Sequence, residues 1–325
     1  MIFQKRSNAL HLAHFVLAGL SSFAWFSPWN AKAETPDKVS IDLHKVVGAE
    51  HACALGQRSV QFISEEELLL QAGPTEKCYQ SVSQLELIVI SLDGHILARK
   101  PWPSTFSTIV LPSKRIALSN LTELQVVNDR LATIQVLPLP DQAKSLGGFL
   151  SSESTDRIRL AVANGTLVFG GTPLLYLRFD PRSEIKPGEP RPVYAEGDGR
   201  QLVLDGSHLS ERGNEGTLRK IADLSWVIPC DKYCQAYDAG TAFEVVTTKE
   251  RRILVISNGS RFPVTDAAGL FPYFRLAVFD LDTGAEIYRE QFVTKTGERS
   301  AALSPEGDLL ATFSGDSISI RKLKH

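Results

Sequence analysis

The chain has 325 residues, 43% of them hydrophobic and 22% charged, enough for a packed core and far from the charge-rich, apolar-poor signature of disorder. A formal charge of −2 excludes the sustained basic surface needed to neutralise phosphate backbones, so nucleic acid is not an expected partner.

Residues 1–33 read as an export signal. Lys5-Arg6 precede an apolar stretch over 9–26, and Ala31-Lys32-Ala33 supplies a small-x-small pattern with cleavage after Ala33. An uncleaved anchor is the alternative, but His11, His14, Ser21 and Ser22 interrupt the stretch, which falls short of the ~20 residues of a full span. No cysteine stands at the cleavage point, which removes a lipoprotein reading. The expected product, 34–325, is a secreted or periplasmic monomer without a membrane span.

Cys53, Cys78, Cys230 and Cys234 are an even number in an exported chain and read as two disulfides. Three pairings are possible. Cys53–Cys78 and Cys230–Cys234 are favoured because each joins sequence neighbours across a turn, contributing about 3.5 and about 2 kcal/mol in the chain-entropy account. A metal or redox site at Cys230–Cys234 is disfavoured: three residues separate the thiols, and no second close Cys/His pair completes a zinc site.

From residue 34 onward the pattern is short apolar runs divided by turn signals, with no helical stripe longer than about three turns. Residues 38–47 alternate Val39, Ile41 and Leu43 as a lone strand. Four strands fit 60–63, 67–71, 85–91 and 95–100. Four more fit 107–111, 115–118, 123–127 and 131–137. Runs at 157–162, 166–169 and 174–179 repeat the design, and 181–192, with four prolines, reads as a loop. A strand resumes at 201–204, but 205–216 is so polar that the fourth unit is poorly defined. Runs at 242–246, 252–257 and 274–281 recover the pattern.

Residues 300–323 hold three apolar runs separated by Ser304-Pro305-Glu306-Gly307 and Ser314-Gly315-Asp316, and the last alternates Ile318, Ile320 and Leu323 with polar residues. This stretch resembles a blade of WD-repeat and related YVTN-like β-propellers. Asp280-Leu281-Asp282-Thr283-Gly284 is similar to the hairpin between the last two strands of such a blade. Within the chain, Ser91-Leu92-Asp93-Gly94 matches Ser304-Pro305-Glu306-Gly307. The resemblance implies an all-β propeller of six or seven four-stranded blades, its ring closed by the 38–47 strand joining the three-stranded last blade; a β-sandwich is the alternative. Closure in a ring leaves only short, protected sheet edges.

Catalytic signals are sparse. His44, His51, His95, His208 and His325 lack metal or triad spacing. Gly315-Asp316-Ser317 reads as a turn rather than a nucleophile block. In Gly206-Ser207-His208 the adjacent hydroxyl and imidazole point apart on an extended chain, which leaves a polar loop. Asp280 and Asp282 fail the EF-hand spacing, and the Asn-x-Ser/Thr sequences at 120, 164 and 258 read as turns. No cofactor or metal is implied. Trp102, Trp226, Tyr233 and Tyr237, beside rigid or stapled loops, are the candidate binding residues, although packing between blades is the favoured reading of the two tryptophans. The expected function is non-enzymatic binding of a protein, peptide or glycan. The alternative is an exported propeller hydrolase or lyase with carboxylates on its loops.

Overall fold

The computed structural model describes residues 38–47, 59–72, 85–102, 107–120, 122–140, 149–154, 157–162, 164–181, 190–196, 199–213, 215–228, 241–258, 273–293, 300–314 and 317–324. All belong to the second of two units, Asp37–His325. The signal segment, Cys53, Cys78, Cys230, Cys234, Tyr233 and Tyr237 lie outside the described residues.

Apolar alternation between tight turns gives six antiparallel four-stranded sheets. Blade I is β2 (Ser59–Ser64), β3 (Glu67–Ala72), β4 (Leu85–Ser91) and β5 (Ile96–Trp102). Blade II is β6 (Ser107–Leu111), β7 (Arg115–Ser119), β8 (Glu123–Val127) and β9 (Thr133–Pro138). Blade III is β10 (Phe149–Ser154), β11 (Arg157–Val162), β12 (Gly165–Gly170) and β13 (Leu175–Pro181). Blade IV is β14 (Arg191–Ala195), β15 (Gln201–Asp205), β16 (His208–Arg212) and β17 (Leu218–Asp223). Blade V is β18 (Thr241–Val246), β19 (Arg252–Asn258), β20 (Tyr273–Asp280) and β21 (Glu286–Val293). Blade VI takes β22 (Ser300–Leu303), β23 (Leu309–Ser314) and β24 (Ser317–Lys322) from the end of the chain, and β1 (Lys38–Asp42) from its beginning.

Each sheet buries both faces against neighbours. One apolar cluster joins blades VI and I through Ile41, Phe62, Ile88, Phe313 and Ile318. Others join I to II, II to III, IV to V and V to VI. The remaining junction brings β10 beside β14. Every blade therefore has two neighbours, which closes the ring at six and removes both a seventh blade and the sandwich.

The closing strand is β1, antiparallel to β24 with Val39 opposite Ile320 and Ile41 opposite Ile318. It is shorter than the sequence pattern suggests. After Asp42 the chain makes a single helical turn, α1 (Leu43–Val47), which buries Leu43 and Val46 while His44 and Lys45 face solvent. The Asp42 carboxylate accepts the His44 amide at 2.9 Å. A polar cap and a three-residue spacing of apolar side chains win locally over strand alternation.

Blade IV also departs from expectation. The polar stretch after Asp205 is not a loop: Gly206-Ser207 turn the chain into β16, where His208 pairs with Asp205. Glu211 is buried there because Arg200 and Arg219 bond it at 2.9 and 2.8 Å. Glu196 accepts Arg200 at 2.8 Å and Arg251 at 2.5 Å, and Arg251 also pairs with Asp282. A charge that is fully paired can occupy a strand position that otherwise needs an apolar residue.

The two matching turns do share their bonding. Gly94 and Gly307 each donate an amide at 2.9 Å, to Ser91 and Ser304 carbonyls, and the serine hydroxyls accept the His95 and Leu309 amides at 3.1 Å. Their ranks differ: one joins the third and fourth strands of blade I, the other the first and second of blade VI.

In blades I to V the outermost strand carries a bulge opposite the third strand, and the inserted residue is aliphatic each time: Leu97, Ile134, Leu177, Ile221 and Ile287. Gly284, at φ +74°, lets the blade V turn approach Ile221, since a Cβ at 284 would lie 2.1 Å from the Ile221 carbonyl oxygen. Gly216, at φ +80°, has nothing within 4 Å of such a Cβ. Gly216→Ala should therefore cost only the left-handed penalty of ~1 kcal/mol, and Gly284→Ala roughly 2–4 kcal/mol. Calorimetry of the pair checks this: equal losses would remove the blade IV–V contact from the account.

Candidate functional site

Among the described residues the outermost strands have no neighbour beyond them, so their outer backbone groups form free edges. Most are guarded by charge: Arg99 and Lys100 on β5, Arg178 and Asp180 on β13, Arg219, Lys220 and Asp223 on β17, Glu286, Arg289 and Glu290 on β21, Asp42 on β1. β9 has none. Its sequence is Thr-Ile-Gln-Val-Leu-Pro, and it turns Ile134 (57% exposed) and Val136 (50%) outward.

Beside it, β13 presents Leu175, Tyr176 and Leu177, all about half exposed. The two strands are held in register by Gln135, whose amide donates to the Leu174 carbonyl at 2.7 Å and accepts the Leu174 amide at 3.1 Å. Tyr176 is pinned edge-on against buried Phe169, with ring centroids 5.9 Å apart and planes at 67°. On the other flank Lys100 of β5 reaches the Thr133 hydroxyl at 3.1 Å. The rim of blades II and III is thus an apolar, aromatic-bearing surface with a free edge at its centre. Those are the properties of a surface that receives another chain.

The innermost strands surround the axis and have exposed edges of their own, which polar side chains latch. The Val110 amide donates to Gln61 at 3.0 Å, the Leu150 amide to Ser107 at 2.8 Å, the Val60 amide to Ser300 at 3.1 Å and the Leu303 amide to Glu244 at 3.1 Å. Glu244 is the one titratable side chain among these four. The residue as a whole is only partly buried, but its carboxyl is enclosed between β18 and β22, and that burial pushes it up to about 8 against the lowering effect of the Leu303 amide. It is neutral at pH 7.

Of the residues singled out by sequence, Tyr233 and Tyr237 lie outside the described residues, and the two tryptophans belong to different blades. Trp102 ends β5 of blade I, opposite Leu85. Trp226 follows β17, packs against the core between blades IV and V, and has two guanidiniums near its ring, Arg275 at 5.1 Å and Arg289 at 5.2 Å from the centroid. Arg275 also donates to the Trp226 carbonyl at 2.7 Å, and burial lowers its affinity for a proton. Among the described residues no group of three or more His, Cys, Asp or Glu side chains could hold a metal ion, and no helix is long and apolar enough to cross a membrane. The rim escaped sequence reasoning because an aliphatic run reads the same whichever side it faces. The missing charge on β9 was the available signal.

The class this arrangement defines is a six-bladed β-propeller. No protein-family model matches the chain, and no curated protein matches its sequence. Solved structures similar to it include the WD40 domain of Neurospora crassa Pan2, at 11% identity and TM-score 0.42, covering 89% of this chain and 96% of that one. The β-propeller domain of Cps50 (Swd1) from Myceliophteria thermophila matches at 9% identity and TM-score 0.40, covering 82% and 96%. A protein of unknown function from Bacteroides caccae matches at 12% identity and TM-score 0.40, covering 72% and 81%. These likenesses concern fold alone, and the ring stands on its own strand order.

Proposed function

We propose that the chain is an exported, non-enzymatic binding propeller that receives an extended segment of another protein along the outer edge of blade II. The observation that carries this reading is β9, a free and uncharged edge flanked by Tyr176 and the exposed aliphatics of β13. An added strand gains main-chain hydrogen bonds from such an edge and side-chain contacts from its neighbours. Export rests on Lys5-Arg6, the apolar stretch and the Ala31–Ala33 pattern, and in that setting Cys53–Cys78 and Cys230–Cys234 form disulfides. For the hydrolase or lyase alternative the described residues offer Glu244, on which no second titratable group bears, and Glu65, raised by burial and beside Asp308.

The test starts from secreted full-length chain, whose N-terminal sequencing should begin at Glu34. A displayed library of random peptides is then selected against it and against Ile134→Lys/Val136→Lys. Peptides that bind the parent and lose at least tenfold on the variant are the expected result. Selected peptides indifferent to the variant, or reproducible turnover of a hydrolase and lyase substrate panel, would overturn the reading.

A further inference from the structure

Between blades II and III, on the face from which the turns between first and second and between third and fourth strands emerge, lies a pocket of about 240 Å³. Its floor is the apolar cluster of this junction, with Leu111, Ile158 and Leu174. Its polar lining is Arg115 and Arg157 with Ser113, Ser152, Ser154 and Thr172, and among the described residues no carboxylate lines it.

Other arginines in the ring are matched to acids: Arg130 to Glu67, Arg178 to Glu153 and Asp180, Arg200 and Arg219 to Glu211. Among the described residues Arg115 and Arg157 have no acidic partner. Arg115 donates one Nη2 bond to the Thr172 hydroxyl at 3.0 Å, and its Nε–H is buried without an acceptor. A buried guanidinium donor left without a partner on an apolar floor is costly unless something supplies the acceptor. The adjoining turn adds a second sign: Ser113 and Lys114 hold φ of +65° and +57°, a left-handed conformation that neither residue type adopts cheaply. Ser113 lines the pocket, and Lys114 beside it is exposed.

We infer that this pocket is a binding site for a phosphate monoester. Two guanidiniums balance the nearly two negative charges of such a group at neutral pH, and donors from four separate segments suit a tetrahedral anion better than a planar one. The apolar floor gives the ester's carbon substituent somewhere to lie, which free phosphate lacks. This inference does not depend on a strand docking at β9, and its test involves no peptide.

The full chain would be titrated by calorimetry at constant ionic strength with phenyl phosphate, inorganic phosphate, sulfate and benzoate. Saturable binding in which phenyl phosphate leads is expected, with a loss of at least tenfold in Arg157→Gln and in Arg115→Gln. Arg157 is exposed, so its variant decides the matter if Arg115→Gln fails to fold. Sulfate or benzoate binding as tightly as phenyl phosphate would overturn the assignment. Binding that tracks salt alone and is unchanged in Arg157→Gln would overturn the site itself.

Discussion

Removing residues 38–47 is expected to abolish cooperative unfolding and drive the protein toward aggregation. The deletion strips β1 from β24 and takes with it Ile41, Leu43 and Val46, each 5% exposed or less. Burying an aliphatic side chain of this size is worth about 1.5–3 kcal/mol, so the three together amount to roughly 5–9 kcal/mol. A domain's whole stability is about 5–15 kcal/mol. The edge left behind, β24, alternates Ile318 and Ile320 and would be open to pairing with another molecule. The same ten residues attached after β24 through a flexible linker should restore folding, because the ring needs the strand and not its position in the chain. Denaturant unfolding and size-exclusion chromatography of parent, deletion and permutant provide the check. A deletion that unfolds with the parent's midpoint and slope would show that the ring closes without β1.

How far the sequence announced this molecule depends on the range of the interaction that decided each feature. Turn chemistry is local, so Ser304–Gly307 and Ser91–Gly94 declare their hydrogen bonds directly, and Asp280 declares an Asx turn in which its carboxylate accepts the Asp282 and Thr283 amides at 3.0 and 2.6 Å. The rank of a turn within its blade is set by pairing across the sheet, and there the two serine turns part company. Leu131 shows local rules overridden. It occupies at φ +61° the position that Gly94 fills in the equivalent turn, donating to the Asn128 carbonyl at 2.9 Å, and it is held there by burial against blade I. Blade IV was hidden for a similar reason, since Glu211 becomes a strand residue only once three segments bring their arginines to it. β10 was missed because serines occupy positions 151, 152 and 154 after Leu150, and the Leu150 amide bonds Ser107 of another blade.

The candidate site was less legible than the fold. Alternation in β9 identifies a half-buried strand and cannot say which half is buried, so the exposure of Ile134 and Val136 emerges only when blade II is placed outermost-strand first against blade III. The phosphate pocket is harder still. Ser113 and Arg115 come from one blade and Ser152, Arg157 and Thr172 from the next, and only the ring makes them neighbours.

Glu244 should give the protein an unusual fall in stability with rising pH. Its carboxyl keeps a proton up to about 8 when folded and only to about 4.5 when unfolded. Between those values the unfolded chain binds fewer protons than the native one, so the slope of unfolding free energy against pH is negative, at most about 1.4 kcal/mol per pH unit. The contribution is fully favourable below pH 4.5, is lost progressively toward pH 8, and totals on the order of 5 kcal/mol as a ceiling. Carboxylates such as Asp93, lowered by the Ser91 hydroxyl, and Asp223, lowered by the Ser225 amide, act in the opposite sense, and their contributions are lost only at more acid pH. Comparing the parent with Glu244→Gln cancels those terms. The amide oxygen still accepts the Leu303 N–H and carries no charge at any pH, so the variant should match the parent near pH 4.5 and exceed it by several kcal/mol at pH 8.5. Urea unfolding of both proteins across that range decides it: parallel pH profiles would mean that the Glu244 carboxyl is ionised in the native ring.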